Sequence, residues 1–161
     1  MKVLKIAMGF FVLLVFFVSC DVSSDDNSAP IPNFDVLGLY DLVEVNVSSA
    51  QDLNEDGTAS SNILDELDCA SGTLLIDGDL VWTFNQINLN ATPITGDQFA
   101  IDCSTDTTSV TGTWFSDATT VTFDGDPALS TLRIDGDRLI NDIGEELPGF
   151  QSFVYERRIV N

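Results

Sequence analysis

The chain has 161 residues, with 26 Asp and Glu against 6 Lys and Arg, no histidine, and a formal charge of −20. A surface this acidic repels nucleic acid and anionic headgroups, which argues against binding DNA, RNA or a membrane through a basic patch. Both lysines lie in the first five residues, so beyond them the chain lacks the usual groups for proton transfer near neutral pH and for Schiff-base chemistry. The 44% hydrophobic content is enough for a packed core.

Met1 to Cys20 opens with Lys2 and Lys5, continues through the apolar stretch Ile6 to Val18, and ends Phe17-Val18-Ser19-Cys20. The stretch is shorter than the roughly 20 residues that span a bilayer as a helix, which is the proportion of a cleaved secretory signal. Its ending resembles the lipobox of bacterial lipoproteins, with Phe17 in place of the usual leucine. The resemblance implies a signal peptide over 1–19 and acylation of Cys20, whose lipid would be the protein's contact with a membrane. Residues 20–34 then read as the lipidated cysteine and an acidic tether, because Asp21 to Asn33 is rich in Ser, Asp, Asn and Pro and has little to bury. The run Ser24-Asp25-Asp26 resembles the export signal of surface-displayed lipoproteins of Bacteroidota, which implies an exported protein of the outer membrane and the cell surface. Without the two lysines, four arginines face 26 acids, a charge of −22.

Residues 35–161 have the size of one domain. Val43, Val45 and Val47 alternate with polar residues and predict a first strand. Next comes Asp52-x-Asn54-x-Asp56-Gly57, which has the oxygen spacing and the sixth-position glycine of an EF-hand-type calcium loop. Thr58 and Ser60 extend the candidate ligand set. The twelfth position is Ile63 rather than the bidentate glutamate, so Glu66, brought back by a short helix around Asn62 to Leu67, is the candidate replacement. A calcium ion held this way would be structural and weak, with a dissociation constant of about 10⁻⁴–10⁻³ M. The competing reading is an Asx-rich surface loop that binds nothing.

Further along, apolar residues alternate at Leu80-Trp82-Phe84, Phe99-Ile101-Cys103, Val110-Gly112-Trp114, Val121-Phe123 and Leu132-Ile134, and a last run covers Phe153 to Tyr155. Asp77-Gly78, Asp124-Gly125 and Asp135-Gly136 mark turns, glycine supplying the positive φ of a tight hairpin. Period two throughout and short connections predict an all-β domain. We expect a single antiparallel up-and-down barrel of about eight or nine strands with one short helix, closed so that no edge is left exposed. With Cys20 assigned to lipid, Cys69 and Cys103 remain as a pair, most simply a disulfide in an exported protein.

Val36-Leu37-Gly38-Leu39-Tyr40, Gly112-Thr113-Trp114, the block from Asp52 to Cys69 and the ending Val154-Tyr155-Glu156-Arg157-Arg158 together resemble the lipocalin-like lipoproteins of Bacteroidota. The resemblance implies a small lipocalin-like barrel closed at one end by an arginine of the last strand packed over Tyr40, with Arg157 or Arg158 in that role. Tyr40, Trp82, Trp114 and Arg157 are therefore the candidate closure or ligand-contacting residues, the tryptophans being core otherwise. No catalytic site is expected, since serines without histidine or lysine have no base. The expectation is an accessory or structural lipoprotein, with an envelope protein as a possible type of partner. The alternatives are a module holding a small apolar or glycan-derived ligand and, behind it, a hydrolase using paired carboxylates.

Overall fold

The structure, a computed structural model, describes residues 31–159 apart from 97, 145, 146 and 148. The signal-like segment, Cys20 and the tether as far as residue 30 lie outside the described residues. Nine strands follow in order: β1 Gly38–Gln51, β2 Ser60–Asn62, β3 Gly72–Ile76, β4 Val81–Pro93, β5 Phe99–Ser116, β6 Thr120–Asp124, β7 Thr131–Asp135, β8 Arg138–Asp142 and β9 Phe150–Arg157. From β3 to β9 each strand pairs antiparallel with the next, and β1 pairs with both β3 and β9. The result is a closed eight-stranded up-and-down barrel, as the alternation and turns predicted. The ninth strand, β2, adds to the far half of β1. The predicted short helix is a single 3-10 turn, Ile63–Asp65, capped by the Asn62 side chain on Leu64 N–H. A second 3-10 turn, Phe34–Val36, precedes β1 and is capped by Asn33.

Closure follows from the inward face of each strand. Trp82, Leu74, Ile76, Val121, Leu132, Leu139 and Tyr155 are buried almost completely and form one cluster. Rings meet edge to face: Trp82 on Phe123 at 5.2 Å and Phe84 on Tyr155 at 6.0 Å between centroids. Such pairs favour the offset of positive ring edge and negative face. The first strand departs from the simple alternation. Its pairing with β9 shifts between Leu42 and Glu44, so Val43 is an extra residue, and the inward set becomes Tyr40, Leu42, Val45 and Val47. A bulge of this kind bends and twists the strand.

The two near-identical Asp-Gly segments form different turns. Asp135 pairs with Arg138 across a two-residue loop in which Gly136 takes φ +61°. At the other, Asp77 Oδ1 accepts the N–H groups of Asp79 and Val81, the loop is longer, and the positive φ of 62° falls on Leu80 rather than on Gly78. Leu80, expected in the strand with Trp82, is thus a half-exposed turn residue.

Strands β4 and β5 run to 13 and 18 residues, and their ladder reaches Pro93 opposite Phe99. Between Ile87 and Leu89 the register slips, leaving Asn88 opposite residues 104–106. Beyond the slip the arm is tied back by a disulfide between Cys69 and Cys103, whose Cα atoms lie 6.2 Å apart.

Candidate functional site

The barrel has two unlike ends. Where the chain enters, Asn33 N–H donates to the Ser116 carbonyl, and Phe34 sets its ring edge to face on Trp114 at 5.9 Å. Trp114 Nε1 donates to the Asp77 carbonyl, and Trp82 Nε1 donates to that of Asp124. Both indoles are buried, so these bonds satisfy donors that would otherwise be costly. Tyr40 is 1% exposed and donates its hydroxyl proton to the Val36 carbonyl at 2.8 Å. Over its ring, 5.5 Å from the centroid, lies the guanidinium carbon of Arg157. Arg157 Nη2 donates to the Tyr40 oxygen at 3.0 Å and to the Asp35 carbonyl, while its buried Nε lies 3.6 Å from an Asp137 oxygen. Burial raises the Tyr40 pKa, and Arg157 offsets part of that rise. These groups plug the end. Arg158 points elsewhere, pairing with Asp41, whose carboxyl is held below its ordinary pKa chiefly by that hydrogen bond.

The remaining arginines also have partners. Arg138 bonds Glu44 and Glu156, and Arg133 lies near Asp135 and Asp142. A double-mutant cycle of Tyr40→Leu with Arg157→Met, read by thermal unfolding, should give a coupling of about 0.5–2 kcal/mol. The same cycle with Arg158→Met should give none. Zero coupling for both pairs would remove Arg157 as the closing residue.

The candidate calcium residues lie at the opposite end. Asp52 Oδ1 and Asn54 Oδ1 both accept the N–H of Asp56, at 3.0 and 2.9 Å. Asp52 Oδ2 accepts from Gly57 N–H, and Asp56 Oδ1 accepts from Thr58 N–H. The turn carries positive φ at Glu55 and Gly57. Glu66 is buried, with Oε2 accepting the N–H of Leu53 at 3.0 Å, and Ser60 bonds Asp65 rather than the loop acids. The structure therefore gathers Asp52, Asn54 and Asp56 and pins the loop with Glu66, while Ser60 turns away. Among the described residues, no group of three or more acidic, histidine or cysteine side chains is disposed to hold a metal.

Beside the β6–β7 and β8–β9 connections, the barrel mouth holds a recess of about 180 Å³ lined also by β4, β5 and β9. None of Tyr40, Trp82, Trp114 or Arg157 lines it, and the first three are buried in the core. Its polar residues, Gln86, Asn88, Thr108 and Asn141, were not singled out in the sequence. Continuing the inward alternation of Trp82 and Phe84 two and four residues further would have found Gln86 and Asn88. Two open hollows, of about 330 and 380 Å³, lie beside β1 and β3 and along the β6–β7 loop. Asp124 and Asp126 in the second spend an oxygen each on N–H groups of their own loop.

These features define a small, closed antiparallel barrel, plugged at one end and shallowly recessed at the other. Comparison with protein-family models, curated proteins and solved structures finds no match to this chain.

Proposed function

We propose that the protein is an exported, lipid-anchored accessory component of the cell envelope, displayed on the outer membrane through acylated Cys20, with a barrel that does no catalysis. The observation that carries this reading is the filled interior. Trp82, Tyr40, Tyr155, Leu74, Ile76, Leu132 and Leu139 are each at most 1% exposed. The recess left at the mouth, about 180 Å³, is smaller than the roughly 300 Å³ at which pockets for drug-sized ligands begin. A barrel filled this way has no interior room for an apolar cargo. The described residues lining the recess include no carboxylate, so paired-acid hydrolysis has no support there. Cys20→Ala tests the anchor. The variant should remain unprocessed and take up no radiolabelled palmitate, whereas palmitate incorporation would sink the assignment.

Calcium belongs to the same reading as a weak structural ion on the loop at 52–58. Its support is the convergence of Asp52 and Asn54 oxygens on one N–H group, with Asp56 beside them. Because these oxygens already accept N–H groups, an ion has to share them. At ten times the dissociation constant, linkage gives about 1.4 kcal/mol, or a rise in melting temperature of about 3–5 °C. Sodium at matched ionic strength corrects for screening of the acidic surface. An equal response of wild type and Asp56→Ala to calcium would reduce the loop to a self-bonded turn.

A further inference from the structure

The mouth recess has a lining unusual for so acidic a chain. Its floor is apolar, made by Phe84, Leu129, Phe153 and the ring of Tyr155. Its walls carry Gln86, Asn88, Asn141 and Thr108, and none of the described lining residues is charged. Two hydrogen bonds fix how the polar groups face. The Tyr155 hydroxyl donates to Gln86 Oε1 at 2.7 Å, and the Thr108 hydroxyl donates to Asn88 Oδ1 at 2.7 Å. Both bonds occupy amide oxygens, and the NH₂ groups of Gln86 and Asn88 meet no acceptor among the described residues. The slip in the β4–β5 ladder falls at Asn88, and bulges are the device by which strands re-aim a side chain at a site. Burial raises the Tyr155 pKa, so its phenol stays neutral and the set stays uncharged.

We infer that the recess binds one small, neutral, hydroxyl-rich ring, the chemical class of a single pyranose. A ring of this kind sets an apolar face against the apolar lining, where Leu147 is exposed at the rim, and presents oxygen acceptors to the amide donors. The surrounding acidic surface and the lack of charge among the described lining residues both disfavour an anionic ligand. A purely apolar ligand would leave the amide groups without partners, which is the costly alternative. Neither point depends on the anchor or on calcium.

Saturation-transfer NMR on the full chain in a detergent without sugar headgroups tests this. Glucose, galactose, mannose and N-acetylglucosamine are the probes, with glucuronate as the charged ring and cyclohexanol as the ring without acceptors. At least one neutral sugar should bind with a dissociation constant of about a millimolar. Glucuronate and cyclohexanol should each bind at least tenfold more weakly. Asn88→Asp, which exchanges a donor for a charged acceptor of the same shape, should weaken the sugar at least tenfold. Leu147→Trp, which fills the recess from its rim, should abolish binding. The proposal is overturned if no neutral sugar binds at 50 mM, if cyclohexanol or glucuronate binds as well as the sugars, or if both variants bind like wild type.

Discussion

Gly112→Ala should destabilise the barrel by about 3 kcal/mol or more, beyond the common range for point substitutions. A Cβ at Gly112 would stand 1.9 Å from the Asp124 carbonyl oxygen and 2.6 Å from Trp82 Nε1. Both neighbours are fixed. The first is backbone of β6, and the second is the indole nitrogen whose hydrogen bond goes to that same carbonyl. The opposing backbone comes close because it bends there through Gly125, at φ +116°. Accommodating the methyl group means parting β5 from β6 and stranding a buried indole donor, two costs that add to ordinary overpacking. Thermal unfolding should fall by about 10 °C or more for a domain of this size. Gly78→Ala is the control: its nearest atom to an added Cβ is Leu37 Cδ1 at 3.9 Å, and it should change stability by less than about 0.5 kcal/mol. Equal stability of the two variants would show that the close approach of β5 and β6 is not needed.

The second large effect should come from the disulfide. Replacing Cys69 and Cys103 together with serine opens a loop of sequence separation 34 and should cost about 3–4 kcal/mol on the chain-entropy account. The far arm of β4 and β5 should suffer first. It lies beyond the ladder slip, where the Phe99 N–H bonds Gln51 Oε1 at 3.1 Å and Ile101 is its buried residue. Amide exchange should therefore speed up most at Leu89 to Cys103, ahead of the inward residues of β6 to β8. A denaturation midpoint that ignores reductant would contradict the bridge, and uniform acceleration of exchange would contradict its local role.

Much of the fold was legible because a barrel of short connections leaves a period-two signature in every strand. Val121 and Phe123, Trp82 and Phe84, and Leu132 all point inward as their alternation implied. Two features were hidden for the same reason, since an alternation rule has no term for an inserted residue. The bulge at Val43 reverses the inward parity midway along β1, and the slip at Asn88 lets two apparent strands run on as the single strand β5. The turns were harder still. Asp77-Gly78-Asp79 and Asp135-Gly136-Asp137 share a sequence, but only the first has its leading carboxylate accept two N–H groups. That bond depends on loop length, which the dipeptide does not encode. At the closed end, Tyr40 and Arg157 could be paired only through resemblance, because they lie 117 residues apart. The mouth recess was missed because Gln86, Asn88 and Asn141 look like solvent-facing polar residues until the barrel closes around them.

The most direct measurement is native mass spectrometry of the protein purified from its own host in detergent. The expected species is a chain that begins at Cys20, carries a diacylglyceryl group and an amide-linked acyl chain, and has Cys69 and Cys103 oxidised. It should hold no stoichiometric apolar ligand, because the interior is already filled by Trp82, Tyr40 and Tyr155. A mature chain without acyl mass, or a one-to-one complex with a drug-sized apolar molecule that survives desolvation, would contradict an anchored barrel with a filled core.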